Sequence, residues 1–417
     1  MKFGVFYELQ LPKPWSEDSE HRLFQEALDQ IELADRIGIE YAWEVEHHFL
    51  EEYSHSSAPE VFLGAAAMRT KQIRLGHGVK HVIANYSHPA RNAECIATLD
   101  LVSSGRVEFG FGEGATRSEL GAFDIPAKTK RKMALESVEQ ICNMMAMTPY
   151  PGYQGESFSM PCRNLVPKPL QKPHPPLWMA CTNRDTIRIA ASLGVGALAF
   201  AFSEPDEAMN WVNEYYSIIK SDQCVPIGHA VNANIAMVSD FTLHEDREEA
   251  IRRGQDGIDF FKYAINALVV NDTVPGRTQL WDTFMRLRGG KTEALIERAR
   301  KGEYQTTGIG TPEDLRKHLR SFEEAGVDQI ILMQQAGLNQ HKHICESLEM
   351  FGEQVLPEFK ARDLQRQKEK EEALAPYIAA AMARKQKMPP LEDHEIPVVE
   401  ASVRKAMVPD SILNPDN

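Results

Sequence analysis

The sequence has no long apolar runs, no paired cysteines and no excess of positive charge. No uninterrupted apolar stretch in its 417 residues approaches the roughly 20 residues that cross a bilayer, so no membrane segment is expected. The six cysteines are scattered without a CxxC pair, which predicts reduced thiols rather than a disulfide framework. The formal net charge is -14, and no basic stripe offsets it over the main part of the chain. This charge argues against binding to the phosphates of nucleic acid.

The remaining composition is that of a globular protein. Hydrophobic residues make up 43% of the chain and charged residues 25%. The chain enters a strand pattern at Lys2–Phe6 without the basic segment and apolar run of a secretory signal, so a cytoplasmic location is expected.

Strand patterns alternate with helix patterns along most of the chain. The strands are predicted at 2–6, 40–45, 73–79, 106–110, 176–180, 195–200, 230–238 and 327–333. Eight strands, each followed by helix, predict an α/β fold of the closed (β/α)₈ or TIM-barrel class. We predict that the barrel covers 1–357, with a loop insertion at about 261–305, and that 358–417 form a charged C-terminal extension.

The segment Tyr41–Phe49 changes abruptly from apolar residues to two acids and two imidazoles. Such a change is typical of a buried strand whose end opens into a site. His47 and His48 are therefore the first candidates for catalysis. In a TIM barrel the C-terminal ends of the strands meet at one face, and Glu113, Cys181 and Thr182 are also predicted there.

Two other interpretations of this segment stay open. Paired histidines often fill hydrogen-bonding roles at a strand end without any catalytic function. Alternatively, Glu44, Glu46 and His48 alternate onto one face of a strand, and carboxylate with imidazole can bind a divalent cation. That arrangement would suit a metal-dependent lyase or hydrolase, although no further ligands accompany it.

Two more segments suit a bound cofactor. The glycine-rich turn at 110–114 lacks the GxGxxG spacing of a dinucleotide loop, but its glycines let the backbone approach a flat ring, which makes Gly112 and Glu113 candidates. Thr182, Asn183 and Thr186 begin a predicted helix, where free amides and hydroxyls favour an anion.

Five segments together give the sequence a resemblance to the bacterial luciferase-like, flavin-dependent monooxygenases. They are Met1–Phe6, Trp43–Phe49, His88–Pro89, Ser104–Gly110 and Gly310–Glu313. The resemblance extends over about 1–357. It implies a TIM barrel that combines O₂ with reduced FMN (FMNH₂) from a separate NAD(P)H:flavin reductase, forms a C4a-peroxyflavin and oxygenates a small organic substrate. It also implies a homodimer.

The resemblance assigns roles to individual positions. His47 matches the family's catalytic histidine, with His48 in support, and Arg131 matches a phosphate-binding arginine. Thr182, Asn183 and Thr186 match the phosphate-contacting loop, with Cys181 beside them. His81 belongs to the loop at 80–85, where family members often carry a cis peptide against the flavin ring.

The sequence also departs from the light-emitting members. They have a cysteine at Gly112, an arginine at Glu113 and a glutamate-serine pair at Thr182-Asn183, so light emission from an aldehyde is not expected. Hydride transfer with the deazaflavin F420, used by relatives on the same barrel, is the alternative activity. A flavin-binding relative without catalysis is a further alternative.

Overall fold

The computed structural model describes residues 1–200, 202–304 and 307–400. Its strands are β1 (Lys2–Tyr7), β2 (Tyr41–Glu44), β3 (Arg74–His81), β4 (Val107–Gly112), β5 (Tyr150–Gln154), β6 (Ser159–Arg163), β7 (Leu177–Cys181), β8 (Gly196–Ala199), β9 (Ile235–Asp240), β10 (Thr242–Leu243), β11 (Ile309–Gly310) and β12 (Gln329–Gln335). Eight of them close a parallel barrel in the order β1-β12-β9-β8-β7-β4-β3-β2. The predicted TIM barrel is confirmed.

Helices surround the barrel. They are α1 (Ser19–Ile37), α2 (Pro59–Arg69), α3 (Pro89–Val102), α4 (Arg117–Ala122), α5 (Lys130–Ala146), α6 (Arg184–Ser192), α7 (Pro205–Ile219), α8 (Arg247–Val270), α9 (Leu280–Arg288), α10 (Lys291–Arg300), α11 (Pro312–Glu324), α12 (His341–Gln354) and α13 (Leu356–Arg384), with a 3₁₀ turn at Asp393–Glu395. Among the described helices, none combines the length and the apolarity that crossing a bilayer requires.

Aromatic rings fill part of the barrel interior. Trp43 on β2 stacks on Tyr41, with ring centroids 5.8 Å apart, and meets Trp178 of β7 edge-on at 5.3 Å. Gly76 lies on the neighbouring strand β3, where a Cβ atom would come 2.2 Å from Cε3 of Trp43. The glycine is therefore needed because it leaves room for the indole ring.

The outer layer follows the helical periodicity of the sequence. In α1 the residues Leu23, Ala27, Ile31 and Ala34 are buried against the barrel, as an apolar stripe at this spacing predicts. The helix ends at Gly38, whose φ of 90° is left-handed and whose N–H donates to the carbonyl of Ala34. Such a C-cap favours glycine because the residue has no Cβ.

Several local predictions differ from the structure. The proline-rich link at 149–176 contains the hairpin β5–β6, in which Tyr153 Oη donates to Glu136 of α5 at 3.1 Å. The strand predicted at 230–238 begins only at Ile235, and the short helix α4 was not predicted at all. The two strands of the hairpin and the six-residue helix α4 are each too short to show a clear hydrophobic period.

The segment between β10 and β11 contains α8, α9 and α10 and lies at the face where the barrel strands end. Two carboxylates from the loop after β2 bind its backbone. Glu51 accepts the N–H of Gly276 at 2.6 Å, and Glu52 accepts the N–H of Leu280 at 2.6 Å, at the start of α9. The bounds of the insertion at 261–305 stay a prediction, and position 305 lies outside the described residues.

Much of the predicted C-terminal extension forms α13, which packs on the barrel. Leu374 and Ala381 are buried, and Lys370 Nζ lies 2.6 Å from Oδ1 of Asp328, the residue before β12. Charged residues are frequent in this helix, which is held partly by ion pairs and presents much of its surface to solvent. The domain boundary at 357/358 stays a prediction, and residues 401–417 of the extension lie outside the described part of the chain.

Candidate active site

Ionisable side chains converge where β1 to β4 end. Glu8 follows β1, Glu46 and His47 follow β2, His81 ends β3, and Glu119 comes from α4 after β4. Glu8, Glu46, His81 and Glu119 are buried, and His47 and His48 are partly buried beside them. Parallel strands bring these residues to one face of the barrel, which is the face where TIM-barrel enzymes place their active sites.

His47 lies between two carboxylates. Its Nδ1 is 2.9 Å from Oε1 of Glu119, and its Nε2 is 3.6 Å from Oε2 of Glu8. Burial alone would lower the pKa of His47, but Glu8 and Glu119 outweigh it and raise the pKa to about 9. The imidazole is therefore protonated at neutral pH.

The two carboxylate oxygens of Glu8 differ in their hydrogen bonding. Its Oε1 accepts the hydroxyl of Tyr53 at 3.0 Å, whereas the buried Oε2 accepts no hydrogen bond from the described residues. Burial raises the pKa of Glu8 to about 7, although His47 and Tyr53 oppose the change. A carboxyl group with this pKa can gain or lose a proton near neutral pH.

His48 is held separately from His47. Its Nε2 is 3.2 Å from Oε1 of Glu46, and its ring stacks on Tyr86 and meets Phe123 edge-on. Glu46 also accepts Lys80 Nζ at 3.2 Å and the backbone N–H of His81 at 3.0 Å. Burial would raise the pKa of Glu46, but His48, Lys80 and His81 outweigh it and lower the pKa to about 2.

His81 is neutral and lacks a partner on one ring nitrogen. Burial lowers the pKa of His81 to about 4, even though Glu46 and Glu119 oppose it. Its Nδ1 accepts or donates no hydrogen bond among the described residues, and the same holds for the hydroxyl of Tyr86 beside it. These polar atoms suit a polar ligand, since buried polar groups are normally paired.

A non-proline cis peptide joins Gly78 to Val79 within β3. It lies just before the loop at 80–85, where the family resemblance led us to expect a cis peptide.

The structure does not bring together the three metal ligands suggested by the sequence, Glu44, Glu46 and His48. Glu44 is buried away from the other candidates and accepts the hydroxyl of Ser56 at 2.6 Å. Strand β2 ends at Glu44, so the period-2 alternation does not continue to Glu46 and His48. Instead, Glu46 and His48 share a cluster with His81, in which the ligand atoms lie within 4.8 Å of one another. The ammonium group of Lys80 on Glu46 opposes a further cation there.

Strand β4 ends at Gly112, and Glu113 is the next residue. Both lie at the edge of this site. A Cβ atom at Gly112 would come 2.5 Å from Cγ2 of Val79, so the glycine is required by the approach of β3. Glu113 forms an ion pair with Arg131 of α5, with Nε to Oε2 at 3.1 Å and Nη2 to Oε1 at 3.2 Å. Lys130 Nζ lies 3.5 Å from the same carboxylate.

The residues after β7 form an ordered helix start. Asn183 is the N-cap of α6, where its side chain accepts the N–H of Thr186 at 3.0 Å. The hydroxyl of Thr186 in turn accepts the N–H groups of Thr182 and Asn183 at 3.1 and 3.2 Å. Cys181 is fully buried, and burial raises its pKa to about 12, so its thiol is protonated.

The predicted residues thus divide into two groups. His47, His48 and His81 lie in the charged cluster. Arg131 pairs with Glu113 after β4, and Cys181, Thr182, Asn183 and Thr186 lie at the end of the neighbouring strand β7 and the start of α6. Phe111 of β4 pairs with Met179 of β7, which places the ends of these two strands side by side.

Sequence reasoning missed Glu8, Tyr53, Lys80 and Glu119. Glu119 carried a usable signal, since Thr116 and Glu119 form a capping box at the start of α4. Glu8 directly follows a predicted strand and was available by the same argument as His47. Tyr53 and Lys80 carried no local signal, because their contacts with Glu8 and Glu46 join different strands.

A cavity of about 400 Å³ lies at the opposite end of the barrel. Met1, Asp328 and residues of α7 and α13 line it, and none of the predicted site residues does. Its position before the first residues of β1 and β12 separates it from the histidine cluster.

Comparison with known proteins agrees with the fold. The family model described as luciferase-like monooxygenase matches residues 1–329. The chain is 29% identical over 201 residues to the oxygenase component of flavin-dependent trigonelline monooxygenase from Acinetobacter baylyi, which is 46% of this chain and 52% of that protein. The chain spans about half the length of the first curated relatives it matches.

Solved structures share the same barrel. Monooxygenase RslO1 from Streptomyces bottropensis superposes with a TM-score of 0.69 and 25% identity, over 86% of this chain and 100% of that one. An F420-dependent secondary alcohol dehydrogenase has a TM-score of 0.63 at 17% identity, over 85% and 98% of the two chains, and shows the fold alone. With most of its length matched by the family model, the chain belongs to the luciferase-like monooxygenase family.

Proposed function

We propose that the protein is a flavin-dependent monooxygenase that uses reduced FMN and O₂ to oxygenate a small organic substrate. The observation that carries the proposal is His47, held between Glu8 and Glu119 at the C-terminal end of the barrel. Family membership and the trigonelline monooxygenase relative support it. That relative is an oxygenase component, which supports a separate NAD(P)H:flavin reductase as the partner. The proposal places both proteins in the cytoplasm.

His47 supplies a proton in this proposal. Nδ1 of His47 is held by Glu119, so Nε2, which faces Glu8, is the nitrogen that can donate a proton in the site. The pKa of His47 is raised to about 9, so the ring enters the reaction as an acid and Glu8 lies close enough to exchange the proton. When bound, the reduced flavin supplies the electrons that activate oxygen. The buried position of Glu8, Tyr53 and His81 keeps water away from this proton.

The residues of this site fit the ring system of a flavin better than they fit its phosphate. The unpartnered polar atoms of Glu8, His81 and Tyr86 suit a polar ring system beside His47. At the other end, Arg131 and Thr186 are the groups that would hold the phosphate, and both already have partners within the chain.

The test measures flavin binding and oxygen use separately. We expect the protein to bind reduced FMN under anaerobic conditions and, after O₂ is added, to delay reoxidation relative to free flavin. The variant His47→Ala should keep the binding and lose the delay, because the ring is proposed to act on protons. His55→Ala is the matched control, since His55 also pairs with a glutamate, Glu20, outside the cluster. Absence of binding, or reoxidation at the rate of free flavin, would overturn the proposal.

The same assay separates the alternatives. Hydride transfer with F420 would proceed without oxygen, and the shared barrel does not distinguish it from flavin chemistry. A metal-dependent reaction would require stoichiometric metal and no flavin. A flavin-binding relative without catalysis would bind FMN and tolerate His47→Ala in every readout.

A further inference from the structure

The cation predicted to hold the flavin phosphate is already paired with a carboxylate. Arg131 presents two guanidinium nitrogens to the two oxygens of Glu113, at 3.1 and 3.2 Å. This parallel arrangement is the geometry by which an arginine binds a phosphate, so the carboxylate occupies the place of the anion. Lys130, the next residue of α5, is 3.5 Å from the same carboxylate.

Three backbone donors after β7 are paired as well. The N–H groups of Thr182 and Asn183 both donate to the hydroxyl of Thr186, and the N–H of Thr186 donates to the Asn183 side chain. An incoming phosphate would have to break these contacts or do without them. Arg131 and the N–H groups of Thr182, Asn183 and Thr186 therefore each have an internal partner.

We propose that Glu113 competes with the flavin phosphate for Arg131 and so weakens the contribution of the phosphate to FMN binding. The inference rests on the proposed function, since it concerns the same cofactor. The phosphate of FMN carries about -1.5 to -2 charge at pH 7, and a carboxylate beside it repels that charge. Flavin without a phosphate, such as riboflavin, meets no such repulsion.

The exposure of the pair explains why the competition affects binding rather than folding. The side chain of Arg131 is 45% exposed and that of Glu113 is 20% exposed. Solvent screens ion pairs exposed to this degree, so they contribute little to stability. Glu113 can therefore leave Arg131 when phosphate binds, and its removal should leave the thermal midpoint of unfolding unchanged.

The experiment compares two flavins on three proteins. Dissociation constants of oxidised FMN and riboflavin are measured by flavin fluorescence for the wild type, Glu113→Gln and Glu156→Gln. Glu156 pairs with Lys132 on the same helix, so its variant makes the same change in net charge beside a neighbouring cation. We expect Glu113→Gln to tighten FMN binding about tenfold and to leave riboflavin binding unchanged. Glu156→Gln should change neither constant.

The outcomes separate this inference from the proposed function. If the wild type binds both flavins and Glu113→Gln leaves their ratio of affinities unchanged, the competition is overturned and the proposed function stands. If the wild type binds neither flavin, the proposed function fails and the inference fails with it. Glu113→Ala, which removes the hydrogen-bonding group as well, should give the same FMN-specific gain. A gain for both flavins would overturn the inference. It would indicate that the shorter side chain makes room for any flavin, and not that the charge of Glu113 opposes the phosphate.

Discussion

Nδ1 of His47 lies 2.9 Å from Oε1 of Glu119, although the two residues are 72 positions apart in the chain. Burial opposes a charge on His47, so its raised pKa depends on the two carboxylates around it. Replacing Glu119 with Gln should therefore lower the pKa of His47 by about one unit or more. An NMR titration of the His47 ring measures the change. A pKa that stays near 9 in the variant would show that Glu8 alone is sufficient.

The same pair should make stability depend on pH in a defined window. The pKa of His47 rises from 6.5 to about 9 on folding, so its contribution is complete below pH 6.5 and is lost as pH rises through 9. The pKa of Glu119 falls from 4.5 to about 2, because His47 outweighs burial, so its contribution is complete above pH 4.5 and is lost as pH falls through 2. The loss of unfolding free energy in Glu119→Gln should thus be greatest between pH 4.5 and 6.5, at about 3 kcal/mol. Urea unfolding at pH 5.5 and pH 9.5 tests this, and an equal loss at both would contradict it.

The sequence predicted the barrel because its strands and helices follow strong local periods. Every barrel strand overlaps its predicted range, and the strand ends placed His47 and His48 at one face with Glu113, Cys181 and Thr182. The partners of these histidines were not predictable, because Glu8 and Glu119 approach His47 through the closure of the barrel. Which ring nitrogen of His47 faces which carboxylate depends on strand register and side-chain direction. Neither can be read from the spacing of residues along the sequence.

Arg131 illustrates a different limit. Its match to a phosphate-binding arginine identified a residue at the correct end of the barrel, yet it gave no information on the pairing with Glu113. The sequence showed only that Glu113 differs from the arginine of the light-emitting enzymes. That a carboxylate there would bind the remaining arginine is a consequence of the turn after β4, which brings residues 18 positions apart into contact.

Gly76 gives a test of the barrel interior. Because a Cβ atom there would come 2.2 Å from Trp43, Gly76→Ala forces the indole to move within a close-packed core. We expect a loss of about 1–3 kcal/mol in the free energy of unfolding, measured with urea. Gly121→Ala is the control, since a Cβ atom at Gly121 would contact nothing within 4 Å. Equal stability of the two variants would show that the indole position in β2 is not constrained.

Lys370 tests whether α13 stabilises the barrel. Its side chain is partly buried, with Nζ 2.6 Å from Asp328 Oδ1 and 2.5 Å from Asn234 Oδ1. Burial lowers the pKa of Lys370, although Asp328 opposes the change. Lys370→Ala leaves Asp328 without this cation and should reduce the free energy of unfolding by about 3 kcal/mol. Lys368→Ala, on the exposed face of the same helix and 4.0 Å from Glu372, should change it by less than about 0.5 kcal/mol.

The exposed side of α2 provides a test of the proposed homodimer. Val61 and Met68 are 71% and 75% exposed and, seven residues apart, lie on the same face of α2. If two copies pair through this helix, Met68→Glu places a charge in the contact and should convert the dimer to a monomer. Sedimentation velocity at several protein concentrations measures the change. Lys71→Glu, two residues beyond the end of α2, alters charge nearby without entering the apolar face and should leave the dimer intact. A wild type that sediments as a monomer would contradict the dimer, and a Met68→Glu variant that remains dimeric would exclude this face as the contact.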